Sequence, residues 1–208
     1  MKKKILVAIM IIAIIRMFCF MEAQAGWDST IVKQFQGNTA DLSVIYVNAA
    51  SGNAGNTLID VNHTMTETNV LYNVNGLYPG AKANWSSVQE NVGTLNAEYD
   101  GITWNLGGLD QAIKDDMKLK MQYWITDGEN TILETGGVIE ENYGNFGMTL
   151  QSELQGVILE PGEKLNLGLV GNTDAEFGEI KLDASSGNDT KGKAINVTLE
   201  IKWKIAGS

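Results

Sequence analysis

The final part of the chain, Ile195–Ile205, alternates strictly between apolar and polar side chains. Apolar residues stand at every odd position of this segment, and Asn, Thr, Glu or Lys stands at every even position between them. Successive side chains of a strand point to opposite faces, so this period is typical of a β-strand with one buried and one solvated face. Because a long apolar edge strand would aggregate, we expect this strand to lie in the middle of a sheet.

The same period runs through Met117–Thr126, and Asp127-Gly128 after it predicts a hairpin turn leading into Thr131–Leu133. One loop is expected at 48–56, and short helical segments are expected at 109–116 and 148–154. Further short apolar runs predict strands at Leu42–Val47, which is expected to be buried on both faces, and at 58–61, 69–74, 85–93, 99–106, 165–169 and 179–182. About ten short strands with few helices predict an all-β fold, an antiparallel β-sandwich of jelly-roll or Greek-key type with an N-terminal extension strand.

Two related turn sequences interrupt this pattern. Tyr78–Trp85 and Glu160–Leu167 both read Pro-Gly-x-Lys-x-Asn followed by an apolar residue, and they hold the only two prolines of the chain. Proline fixes φ and glycine accepts a positive φ, so each site predicts a turn that opens a strand. An internal duplication and a coincidence of two common turns both explain the likeness.

Residues 1–25 have the layout of a secretory signal. A basic start precedes the apolar run Ile5–Ile15, and Ala23-Gln24-Ala25 is a small-x-small cleavage site. An uncleaved anchor is the alternative, but Arg16 ends the apolar run short of the roughly 20 residues that span a bilayer. We therefore predict a secreted, extracellular or cell-surface protein that begins at Gly26 and has no membrane span after cleavage.

The segment after the leader carries large apolar side chains. Trp27, Ile31 and Phe35 all stand at odd positions, so an extended strand would put them on one face, as a helix also would. The β-branched pair formed by Ile31 and Val32 favours the strand. We assign 26–40 to an N-terminal strand segment and 41–208 to the sandwich domain.

The charge of the chain excludes one class of partner. The formal net charge is -10, and residues 1–25 hold four of the 15 basic residues but one of the 25 acidic ones, which leaves 11 basic against 24 acidic residues. A surface of this sign repels phosphate backbones, so no nucleic-acid partner is expected.

Catalytic residues are scarce. His63 is the only histidine and Cys19, inside the leader, is the only cysteine, so nucleophilic triads and most zinc sites lack their residues. HExxH, P-loop and GxGxxG motifs are absent from the sequence. We predict no enzyme, no catalytic residues and no required cofactor, with His63 at the surface.

Calcium is the metal that such a chain can bind, since it needs only oxygen ligands and tolerates irregular loops. Candidate loops are 127–130, 172–176 and 183–189, none of which matches an EF-hand. The metal site is left unassigned, with calcium as the open possibility.

Several of these features together resemble the TasA/camelysin family of secreted biofilm-matrix fibre subunits. They are the leader, an early strand, Leu77-Tyr78-Pro79-Gly80, Asn91–Tyr99, Leu159–Glu163 and the closing Gly187–Leu199. The resemblance implies a jelly-roll subunit of an extracellular filament, a homopolymer in which the N-terminal strand of one subunit completes the sheet of the next, with other matrix components as a further partner class. The family also carries a protease label for camelysin, which no residue of this chain supports.

Strand insertion is also what residues 26–35 predict on physical grounds. A free apolar strand is a liability in a monomer, whereas a neighbour's groove satisfies its backbone groups, and a heterologous contact of this kind propagates. Trp27, Ile31, Val32 and Phe35 are the predicted polymerisation residues. One alternative is that the segment folds back onto its own domain; another is a monomeric binding module for carbohydrate or a surface ligand, with Trp85, Trp104 or Trp124 exposed to stack on sugars.

Overall fold

The computed structural model describes residues 40–54, 58–105, 111–169, 178–187 and 190–208. These ranges belong to one compact unit, which begins at Ala40. The predicted leader and the predicted polymerisation residues Trp27, Ile31, Val32 and Phe35 lie outside the described residues.

Twelve strands and two helices make up the described chain. The strands are β1 (Val44–Gly52), β2 (Asp60–Met65), β3 (Val70–Asn75), β4 (Lys82–Asn91), β5 (Ala97–Asn105), β6 (Met117–Thr126), β7 (Ile132–Thr135), β8 (Ile139–Asn142), β9 (Ile158–Leu159), β10 (Lys164–Gly168), β11 (Gly178–Leu182) and β12 (Ile195–Ile205). The helices are α1 (Gln111–Asp116) and α2 (Tyr143–Glu153).

The strands form two antiparallel sheets, so the predicted all-β sandwich is confirmed. In sheet I, β1 pairs with β4, and β10 and β11 both lie between β4 and β6. β7 and β8 pair with the outer side of β6. Sheet II has the order β2-β3-β12-β5-β9. The jelly-roll assignment stays a prediction.

The core lies between the two sheets and follows the alternation read from the sequence. In β12 the odd residues Ile195, Val197, Leu199 and Ile201 are buried, and β12 lies between β3 and β5 as predicted. In β6, Met117, Leu119 and Met121 are buried while Lys118 is exposed. The period of 2 therefore identified both strands and their inner faces.

The first strand departs from the prediction. β1 begins at Val44 and continues to Gly52, inside the expected loop, because 48–52 pair with β4 after a register shift between Tyr46 and Asn48. It is an edge strand of sheet I, and Val47 is exposed rather than buried. The apolar run at 42–47 predicted a doubly buried strand because periodicity does not report how many neighbours a strand has.

The two Pro-Gly turns occupy equivalent places in the sandwich. Gly80 and Gly162 have φ of 84° and 87°, in the region that favours glycine. The first turn leads from β3 in sheet II to β4 in sheet I, and the second leads from β9 in sheet II to β10 in sheet I. β4 and β10 then pair with each other, so the related sequences open neighbouring strands.

Helix α2 is longer than the predicted segment 148–154 and begins at Tyr143. Phe146 and Leu150 of α2 are buried in the core. In the part of the chain that the structure describes, neither helix has the length and apolar character needed to cross a membrane.

Candidate functional site

Strand β12 is longer than the strand beside it. β12 pairs with β3 over Ile195–Leu199 and with β5 over Thr198–Ile205. Beyond Leu199, no strand among the described residues continues along the side of β12 that β3 occupies. An unpaired stretch of strand edge offers backbone donors and acceptors to another chain.

A groove of about 510 Å³ lies along this stretch. The start of β1 and the residues just before it form its opposite wall, and the polar residues Glu67, Asp100, Glu200 and Lys202 also line it. Apolar side chains from both sheets line its inner part, namely Leu42, Val44, Ile45, Ile201 and Trp203. An apolar floor below a polar rim fits a strand whose two faces differ in the same way.

Contacts below the groove hold its floor in place. The Trp203 indole Nε1 donates a hydrogen bond to Gln89 Oε1 at 3.2 Å, and Gln89 is only 2% exposed. On the other side, the Trp203 ring meets the Tyr99 ring edge to face, with centroids 6.3 Å apart. A preformed floor reduces the entropy lost on binding.

Glu67 and Thr68 of the β2–β3 turn line the groove, and Tyr46 follows the lining residue Ile45 in β1. The Tyr46 hydroxyl donates to the carbonyl oxygen of Leu199 at 3.4 Å, and the backbone N–H of Ile201 lies near the same hydroxyl. The Tyr46 N–H donates to the carbonyl oxygen of Glu67 at 2.9 Å. Burial raises the pKa of Tyr46 well above its usual value, so the hydroxyl keeps its proton and remains a donor at neutral pH.

The tryptophans expected to bind sugars do not form an exposed platform. Trp85 and Trp124 are 1% and 4% exposed, so the prediction that they are exposed is wrong. Trp104 is half-buried and packs against Phe146 with ring centroids 5.0 Å apart. Trp85 is on the inner face of β4, where the sandwich core covers it.

His63 is half-buried on the edge strand β2, with Ser51 Oγ of β1 3.0 Å from its Nδ1. The ring of Tyr72 lies 6.3 Å away. These contacts give His63 a structural role between the two sheets.

Two of the candidate calcium loops use their carboxylates to hold the turn. Asp127 Oδ1 accepts hydrogen bonds from the N–H groups of Glu129 and Thr131, and Asp183 Oδ1 accepts from Ser185. These bonds lower the pKa of both carboxyls. Positions 172–176 and 188–189 lie outside the described residues. Within the described ranges, no three His, Cys, Asp or Glu side chains group closely enough to hold a metal ion, and calcium stays a prediction.

A second depression of about 490 Å³ lies beside the first Pro-Gly turn. Leu58, Leu77, Tyr78, Pro79 and Lys191 line it. Leu58 is 73% exposed there. Unlike the groove beside β12, this depression has no unpaired strand along it in the topology of the described residues.

The sequence predicts a segment for insertion, at residues 26–35, but it does not predict the groove. The groove follows from the difference in length between β3 and β12. This difference can be interpreted only when the register of β3 on β12 is known. Comparison of the chain with family models, with curated proteins and with solved structures found no match.

Proposed function

We propose that this protein is the structural subunit of an extracellular filament, and that residues 26–36 of one copy insert into the groove beside β12 of the next. The observation that carries the proposal is the unpaired edge of β12 beyond Leu199, with apolar residues of both sheets below it. The chain supplies a segment of matching character in Trp27, Ile31, Val32 and Phe35. Insertion of a strand into an open sheet edge is an established mode of recognition.

The other neighbour of β12 supports this proposal. β9 pairs with β5 only at Ala97 and Glu98, so most of β5 also extends beyond its outer partner. There the chain provides its own cover, since α2 packs against β5 and Phe146 meets Trp104. For the corresponding stretch of β12, no described helix or strand does the same. The groove is therefore the place where a second copy completes the sandwich.

The proposed insertion is favourable on energetic grounds. Burial of one large apolar side chain contributes about 1.5–3 kcal/mol, and an extended segment would place three such side chains on one face. Backbone hydrogen bonds along β12 add to this. Because donor and acceptor are different surfaces, each inserted copy offers a new groove and the contact propagates.

The test compares the mature chain 26–208 with a truncated chain that lacks 26–36. We expect filaments from the first and a folded protein that does not polymerise from the second, by electron microscopy at matched concentration with circular dichroism as the fold control. In the full segment, Ile31→Asp places a charge in an apolar groove and blocks assembly. Lys33→Ser is the matched control and assembles. Normal filaments from the truncated chain would refute strand insertion.

The monomeric binding module remains the competing function. It has lost two of its three proposed stacking residues, because Trp85 and Trp124 are buried. A mature chain that stays monomeric at every salt and calcium concentration would favour it. If the segment instead fills the groove of its own subunit, the mature chain would also stay monomeric, and its truncation would expose the groove.

A further inference from the structure

Tyr46 lies where β3 stops running along β12. Val70 is the last residue of β3 in register with β12, opposite Leu199. The next contact on that side of β12 comes from the hydroxyl of Tyr46, which reaches across from sheet I to Leu199 and Ile201. Its ring is buried, with 3% of the residue exposed.

The hydroxyl lies at the edge of β12 where a strand continuing β3 would pass. Such a strand would offer β12 one N–H donor and one C=O acceptor at this point. The hydroxyl donates to the Leu199 carbonyl and lies near the Ile201 N–H, so it occupies part of this place. The backbone of Tyr46 is held in turn by Glu67 of the β2–β3 turn. An incoming strand therefore finds the edge of β12 occupied at Tyr46 and open beyond it.

We propose that Tyr46 is a positioning residue that stops the inserted strand and fixes its register in the groove. The occupant is residues 26–36 of a second copy, so this inference rests on the proposed function. A slip of two residues keeps the same face inward, so alternation alone does not distinguish neighbouring registers. A fixed end to the groove does distinguish them, because a strand that slips further in must displace the hydroxyl from the Leu199 carbonyl.

Cross-linking in the mature chain 26–208 measures the register directly. Cys19 is the only cysteine in the sequence, so this chain has none of its own. Lys202→Cys places a thiol on the exposed face of β12 beside the groove. It is combined, one at a time, with cysteines at Asp28, Thr30, Val32 and Gln34, which share the other face of the segment. A two-residue slip moves a thiol by about 6–7 Å, beyond disulfide reach.

With Tyr46 present we expect one of the four positions to give the dominant cross-link between subunits. Tyr46→Phe keeps the ring but removes the hydroxyl, and we expect the cross-link at an adjacent even position to rise about three- to tenfold. Tyr72→Phe is the matched control, because it removes another buried hydroxyl, which bonds to the carbonyl oxygen of Ser86 on β4 rather than to β12. It lowers stability in a comparable way but leaves the register unchanged.

The outcomes separate the two proposals. An unchanged single cross-link in Tyr46→Phe would overturn the role of Tyr46 and leave strand insertion intact. The same redistribution in Tyr72→Phe would assign the effect to stability and also overturn it. If cysteines in the otherwise unchanged chain form no cross-link, or only cross-links within one chain, the proposed function itself fails.

Discussion

At the scale of single residues, the position of a large apolar side chain in the sheets decides whether it is buried in the core or lines the groove. Trp203 continues the apolar face of β12, yet it lies past the end of β3 and so lines the groove. Its hydrogen bond to Gln89 satisfies an indole N–H that would otherwise be costly to bury. Trp85, by contrast, lies where both sheets cover it. Both residues are tryptophans, so residue type alone does not predict which of them lines the groove.

A charge on the wall of the groove tests this assignment at one position. Leu42→Asp introduces a carboxylate among apolar groups, so we expect the acceptor to fail while the fold survives, because Leu42 is only partly buried. Filament mass measured by sedimentation should fall at least tenfold. Leu133→Asp, on a leucine that is 52% exposed on β7, is the matched control and should assemble normally. Equal loss in both variants would mean that the groove has no special role.

The Asp127 carboxylate gives a prediction about pH. The Thr131 N–H, the largest cause, and the Glu129 N–H lower the pKa of Asp127 below its usual 3.8. Its contribution to stability is therefore present above the unfolded-state pKa and is lost as the pH falls through the lower folded-state pKa. In urea unfolding, Asp127→Ala should be less stable than wild type at pH 7, with the difference shrinking as the pH falls below about 4, the usual pKa of an unfolded-state aspartate.

Glu129→Ala is the control in the same turn. Its carboxylate faces solvent, so we expect little change in the free energy of unfolding at either pH, within about 0.5 kcal/mol. A difference for Asp127→Ala that does not shrink at acid pH would show that its hydrogen bonds are not the cause.

At the scale of elements, strand length and helix position decide what is open and what is covered. Sequence periodicity located β6 and β12, because alternation runs through most of β6 and all of β12. It missed β8 and β9, of four and two residues, since segments this short show no period. Periodicity also could not predict the groove. The groove exists because β3 begins only at Val70, opposite Leu199, while β12 continues to Ile205. The register of two strands that are far apart in the sequence cannot be predicted from the residues of either strand alone.

Helix α2 covers β5 through a close contact at Gly147. A Cβ there would lie 2.7 Å from the Trp104 Cβ. We therefore expect Gly147→Ala to destabilise the protein by about 1–2 kcal/mol, although alanine favours helix formation. Gly144→Ala in the same helix meets nothing nearer than 3.8 Å and should be neutral or stabilising by up to about 1 kcal/mol. Urea unfolding of both variants measures this, and a stabilising Gly147→Ala would contradict the packing of α2 on β5.

At the scale of the whole described domain, the two central strands of sheet II differ in how they are covered. β5 is covered by β9 and α2, whereas no strand among the described residues lies beside β12 beyond Leu199. With the segment 26–36, such a subunit would have one donor and one acceptor. A subunit that lacks the segment and a subunit with a blocked groove should therefore form a complex of one copy of each and no longer assembly. This outcome distinguishes strand insertion from unspecific association.

The most direct test mixes the truncated chain, which keeps its groove but lacks 26–36, with the Leu42→Asp chain, which keeps its segment but has a blocked groove. Each alone should stay monomeric and folded. Because the truncated chain can only accept and the other can only donate, the mixture should give a complex of one copy of each, without filaments, by light scattering coupled to gel filtration. Filaments in the mixture, or two folded proteins that form no complex at concentrations at which the wild type polymerises, would contradict strand insertion.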